Sequence, residues 1–110
     1  SVFGEVAGST IANHMDIARG GHFETIPVPY PEGAWYTYGD ETCEYNCMIT
    51  EYFYWSLTSI LGAQENRLDT IGSEWQLNTS SKVQITDPNI YNLLTDATYQ
   101  IATILPNGNY

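Results

Sequence analysis

The stretch Cys47-Met48-Ile49-Thr50-Glu51-Tyr52-Phe53-Tyr54-Trp55-Ser56-Leu57-Thr58-Ser59-Ile60-Leu61, closed by Gly62, decides how the rest of the chain is read. It contains neither Pro nor Gly, and wound at 3.6 residues per turn it carries apolar or aromatic side chains on every side, the pattern of a helix buried all round. Gly62 supplies its stop. Its only charged residue is Glu51. The neighbours of Glu51 on the helix surface are Cys47, Tyr54, Trp55 and Thr58, so an ionised carboxylate there is costly without a partner. Two readings follow for Glu51. Either it lies at the exposed first turn and is stabilised by the helix dipole, or it is a metal ligand or catalytic carboxylate held in place by a rigid helix.

Upstream of that helix, Ser9 is placed to cap a helix over Thr10–Arg19, with Ile11, Met15 and Ala18 on one face and Gly20-Gly21 as the stop. Residues 23–46 then carry Pro27, Pro29, Pro31, Gly33 and Gly39, which deny a helix and give one long aromatic loop. Within it, Trp35-Tyr36-Thr37-Tyr38 has strand propensity and Gly39-Asp40 can turn it into a short β-hairpin.

Downstream, residues 63–71 suit a further amphipathic segment, broken at Gly72-Ser73 before Trp75. Thr86 or Asp87 caps a last short helix with Pro88 in its first turn and Ile90, Tyr91, Leu93 and Leu94 as its apolar residues. Leu105-Pro106-Asn107-Gly108 reads as a turn. The expected fold is mainly α: a small helical domain or lobe with one long aromatic loop and at most a small hairpin.

The 110 residues, 43% of them hydrophobic, are enough for one packed core and too few for two, so residues 1–110 read as a single domain. Thirteen acidic against three basic residues leave a net charge of −10, which opposes nucleic acid and anionic membrane surfaces. No apolar run is long enough to span a bilayer. A Ser in first position, without a charged-then-apolar leader, suggests the C-terminal fragment of a longer precursor.

Cys43 and Cys47 bracket Glu44-Tyr45-Asn46 and suffice for one local disulfide pinning the loop to the Glu51 helix; a structural zinc site would need a second thiol pair. That pair, the sequon at Asn78-Thr79-Ser80, a single Lys and nine Tyr lean toward a secreted, extracellular protein carrying a glycan on Asn78.

Thr50-Glu51-Tyr52-Phe53-Tyr54-Trp55-Ser56-Leu57 resembles the Glu-aromatic-Phe helix of gluzincin metallopeptidases of the lethal-factor type, in which that Glu is the third zinc ligand. The likeness covers eight residues. Two further ligands in that family come from an upstream His-Glu-x-x-His helix, a motif this sequence does not contain. A broader pattern is similar to the C-terminal part of longer secreted proteins from marine organisms. It runs Ala18-Arg19-Gly20-Gly21, then Tyr30-Pro31-x-Gly33-Ala34-Trp35-Tyr36-x-Tyr38, then Thr42-Cys43-x-Tyr45-x-Cys47-x-x-Thr50-Glu51-Tyr52-x-Tyr54-Trp55. The gluzincin resemblance implies Glu51 as a zinc ligand in the full-length protein and, since such enzymes place a Tyr near this Glu to stabilise the oxyanion, Tyr45 as the catalytic candidate. It implies no zinc for the isolated chain, since a zinc hydrolase needs three protein ligands and an open position.

Two functions of different class result: the C-terminal lobe of a secreted zincin-like protein, inactive without the upstream portion of its precursor, or a non-catalytic extracellular module that is structural or self-assembles with copies of itself or another subunit. The remaining residues add less. His14 and His22 are eight apart across the Gly20-Gly21 break, which makes them ordinary histidines unless the fold joins them to Asp16 or Glu51 as a metal site. Asp40, Glu41 and Glu44 form a solvated acidic loop without the spaced ligands of a calcium loop. Tyr30, Trp35, Tyr36 and Tyr38 suit either partner contact or a lid over the core.

Overall fold

Helix α1, Thr10–Arg19, ends in two glycines because its last carbonyls must meet a chain that turns through a left-handed residue. Gly20 has φ +84°, its N–H donates to the Ile17 carbonyl at 3.1 Å, and the Gly21 N–H reaches back to Asp16 at 2.8 Å. A Cβ on Gly20 would also meet Pro31 at 3.0 Å, so the loop packs directly over this turn. The computed structural model describes residues 10–40 and 42–95; the cap expected at Ser9, the acidic residue Glu41 and the turn at 105–108 lie outside the described residues. Ile11, Met15 and Ala18 are buried, the face expected of α1.

Helix α2, Tyr45–Ile60, starts two residues earlier than the apolar run and stops by the same device as α1. Gly62 at φ +89° donates to Ser59, and Ala63 donates to Thr58 at 2.9 Å. The helix is not buried all round. Tyr45, Met48, Ile49, Tyr52 and the run 55–59 are buried, whereas the stripe through Cys47, Thr50, Glu51 and Tyr54 reaches solvent to differing degrees, because nothing among the described helices covers that side. On its other sides α2 packs against α1 and against the two C-terminal helices, α4 (Ser80–Thr86) and α5 (Pro88–Thr95).

Residues 63–71 do not form one amphipathic segment. After Gly62 the chain coils through turns to the four-residue helix α3, Leu68–Ile71. The reason is Gln64, which is drawn into the core, donating to Thr58 Oγ1 at 3.0 Å and accepting from the Arg67 guanidinium at 2.6 Å. A buried amide satisfied in this way fixes a turn where continued helix would have left it outside.

Helix α4 was not expected. Its N-cap is Thr79, whose hydroxyl accepts from Lys82 N at 3.2 Å, and of its apolar residues Val83 is buried while Ile85 is 80% exposed. Asp87 then closes α4 and caps α5: its backbone N–H donates to Val83 and its Oδ1 accepts from Ile90 N at 3.3 Å, with Pro88 at the first helical position. This is the cap expected at that junction.

The strand-like residues of the loop pair elsewhere than expected. Thr37 N donates to Glu74 O at 2.8 Å and Gln76 N to Trp35 O at 3.1 Å, an antiparallel bridge of Tyr36 with Trp75. No hairpin turns at Gly39-Asp40; the Asp40 carboxylate instead accepts from Thr42 N at 2.9 Å and Thr42 Oγ1 at 2.7 Å. The bridge delivers two aromatic rings to α2: Tyr36, Tyr52 and Trp75 lie with ring centroids 5.6 to 6.0 Å apart, all fully buried. Each such side chain withdrawn from water contributes on the order of 2 kcal/mol, so the aromatic core outweighs any surface ion pair.

Candidate functional site

Glu51 sits on the side of α2 that reaches solvent, half-buried, with Glu74 close enough to act on it electrostatically. Burial, reinforced by the Glu74 charge, pushes its carboxyl above the usual glutamate range. Tyr38 and the buried Tyr36 both feel the Glu51 charge, which sets these tyrosines around it. No hydrogen bond or ion pair among the described residues reaches the Glu51 carboxylate.

The Arg19 guanidinium is engaged elsewhere. Arg19 is fully buried, donating from Nη1 to the Phe23 carbonyl at 2.7 Å and from Nη2 to the Thr25 carbonyl at 3.4 Å. Its guanidinium carbon lies 5.5 Å from the Phe23 ring centroid and 5.6 Å from that of Tyr30, a cation-π clamp that organises the start of the loop. His14 lies toward Asp87, whose charge opposes the lowering of its pKa by burial.

Tyr45 is the first residue of α2 and is buried, but it does not stand beside Glu51. Six helical positions separate the two by about 9 Å along the axis and about 120° around it. The Tyr45 hydroxyl donates to Asp16 Oδ1 on α1 at 2.7 Å. That bond turns the Tyr45 hydroxyl toward α1, and the structure does not bring it together with Glu51.

Asp87 is the most deeply buried carboxylate among the described residues. Only 3% exposed, it accepts from Tyr52 Oη at 2.7 Å and Trp35 Nε1 at 3.1 Å on one oxygen and from Ile90 N on the other. The Asp-Pro pair announced a helix cap; nothing local announced that Trp35, 52 residues away, would join it.

A second cluster surrounds His22. Its Nδ1 lies 2.9 Å from Asp16 Oδ2 and its Nε2 2.5 Å from Glu24 Oε2, and its ring centroid is 4.9 Å from that of Tyr45. The fold thus joins His22 to Asp16, one of the pairings considered for it, and leaves His14 at Asp87. Beside the cluster runs a groove of about 400 Å³ lined by Glu24, Thr25, Ile26, Cys43 and Glu44. A disulfide joins Cys43 to Cys47 with Cα atoms 5.3 Å apart, as expected.

Asn78 is buried. Its amide nitrogen donates to Gln64 O at 3.3 Å and Glu65 O at 2.8 Å, and its Oδ1 accepts from Lys82 Nζ at 2.7 Å. A glycan at the sequon would occupy that same enclosed nitrogen, through which this side chain locks the turn after Gly62 to α4. The loop aromatics face inward as a lid: Tyr36 is in the core, Trp35 is bonded to Asp87, and Tyr30 donates to the Tyr38 carbonyl at 2.7 Å.

A zinc centre requires three protein ligands. Among the described residues no group of three or more His, Cys, Asp or Glu side chains could hold a metal ion. Comparison with protein-family models, with curated proteins and with solved structures finds no match. No helix among the described residues is long and apolar enough to cross a membrane.

Proposed function

We propose that this chain is the C-terminal lobe of a secreted zincin-like protein, without hydrolase activity alone, which offers Glu51 to a zinc site completed by the upstream portion of its precursor. The observation that carries this reading is the state of Glu51: a half-buried carboxylate, beside a second carboxylate, that no cation or donor of the described residues meets. Like charges so placed are costly unless something outside supplies the positive charge or the donors. Asp87 shows the contrast, since all of its bonds are made within the chain. The competing reading, a self-assembling non-catalytic module, needs Glu51 to meet a cation or donor of this chain or of a neighbouring subunit. Arg19 is committed to the Phe23 and Thr25 carbonyls, and Trp35 and Tyr30 are bonded within the chain, which favours the lobe. The Cys43–Cys47 disulfide supports an oxidising, extracellular setting.

Elemental analysis of the full-length precursor tests the proposal. One zinc per chain is expected in the wild type and none in folded Glu51→Gln, while the isolated chain holds no stoichiometric metal. Zinc retained in Glu51→Gln, or a precursor without a His-Glu-x-x-His helix, would overturn it.

A further inference from the structure

The imidazole of His22 stands between two carboxylates on different parts of the chain, Asp16 on α1 and Glu24 in the loop, one at each ring nitrogen. A neutral imidazole has a single N–H and can donate to only one of them; both contacts are satisfied only by the doubly protonated cation. The two carboxylates are not equivalent. Asp16 is 20% exposed and held on its other oxygen by the Tyr45 hydroxyl, whereas Glu24 is 65% exposed and lines the groove beside the disulfide. When the imidazole gives up a proton, the tautomer that keeps its hydrogen bond is therefore Nδ1–H to Asp16. The Nε2 lone pair is then left facing the Glu24 carboxylate, and that contact becomes repulsive.

We infer that His22 is a pH-sensitive latch: protonated, it ties the groove wall at Glu24 to α1 through Asp16, and deprotonated, it lets Glu24 go. Glu24 lines the groove and a neighbouring hollow of about 260 Å³ together with Glu44, so loss of its imidazolium partner changes both the mobility and the charge of that wall. The groups that face His22 act in one direction. Asp16 from α1 and Glu24 from the loop both favour the cation, and they raise its pKa above the ordinary 6.5, with the Asp16 hydrogen bond the largest cause. Tyr45 of α2 presents its ring and keeps Asp16 oriented. Arg19, further along α1, bonds the Phe23 and Thr25 carbonyls. For a histidine with a raised folded-state pKa, the latch is complete below 6.5 and fades as pH rises through the raised value. It stands independently of the zinc reading, since it involves neither Glu51 nor Glu74.

The chain has two histidines, so NMR titration of the isolated chain resolves both. His22 is expected to titrate above 6.5 and His14 below it. The Glu24 carboxyl resonance should show a second inflection at the His22 midpoint, and amide exchange over residues 22–26, corrected for base catalysis, should accelerate there. Asp16→Asn and Glu24→Gln should each lower the His22 midpoint and leave that of His14 in place; His22→Asn should remove the step in exchange. A His22 midpoint at or below 6.5, or a Glu24 resonance and segment exchange indifferent to it, would overturn the latch.

Discussion

The hydroxyl of Tyr52 donates to Oδ2 of Asp87 at 2.7 Å, joining the middle of α2 to the junction of α4 and α5. The Trp35 indole reaches the same oxygen from the loop at 3.1 Å, so one buried carboxylate fastens three parts of the chain. Burial and the neighbouring carboxylate keep the Tyr52 phenol protonated far above its ordinary range, which preserves the donor.

Asp87→Ala is expected to destabilise the chain by about 3 kcal/mol or more, because it strands the buried Tyr52 hydroxyl and the half-buried Trp35 indole and removes the α5 cap. Tyr52→Phe should cost about 1–2 kcal/mol. The double variant should lose less than the sum of the two, since both remove the same bond. Urea denaturation of the four proteins measures this coupling.

Glu51→Gln should leave the melting temperature of the isolated chain unchanged or raise it slightly, by less than about 1 kcal/mol after allowance for its partial exposure. The sign follows from its raised carboxyl pKa: the folded state binds this proton more readily than the unfolded state, so stability falls as pH rises from the ordinary 4.5 through the raised value. The advantage of the variant over wild type should therefore grow between acidic and neutral pH. A large loss of stability would mean that Glu51 has a structural partner.

The sequon at Asn78 should remain unmodified when the chain is secreted from a eukaryotic host, with an intact mass free of hexose additions. Asn78→Ala should cost about 2–3 kcal/mol, because two backbone carbonyls and the Lys82 ammonium lose a buried partner. A glycan at Asn78 in folded protein would contradict the geometry described above.

Arg19→Met should retain helix α1 yet loosen the loop it clamps, since the Phe23 and Thr25 carbonyls lose their donors and the Phe23 and Tyr30 rings lose the guanidinium between them. Cleavage within residues 23–31 in limited proteolysis, ahead of cleavage in the helices, is the expected result, with a stability loss of about 2 kcal/mol or more.

Much of the secondary structure was legible because its signals are local. The apolar face of α1, the glycines that end α1 and α2, and the Asp87-Pro88 start of α5 act within a turn or two of where they stand. Helix α4 escaped for the same reason: its seven residues show only Val83 and Ile85 as apolar signals, and just one of them is buried. The bridge of Tyr36 with Trp75 was not legible, because the strand propensity of residues 35–38 does not name a partner.

By itself, the sequence determined a small, acidic, mainly helical chain, the glycine stops of α1 and α2, the Asp87-Pro88 start of α5 and the proximity of Cys43 to Cys47, since caps, periodicity and short-range pairing depend on neighbours along the chain. The tertiary structure alone decided that Tyr45 turns to Asp16 while Glu51 is left beside Glu74, and that His22 lies between Asp16 and Glu24. It also made Asp87 the anchor for Tyr52 and Trp35. Which polar group meets which depends on how the helices and loop pack against α2, and residue type and spacing do not encode the distances between side chains brought together from separate elements.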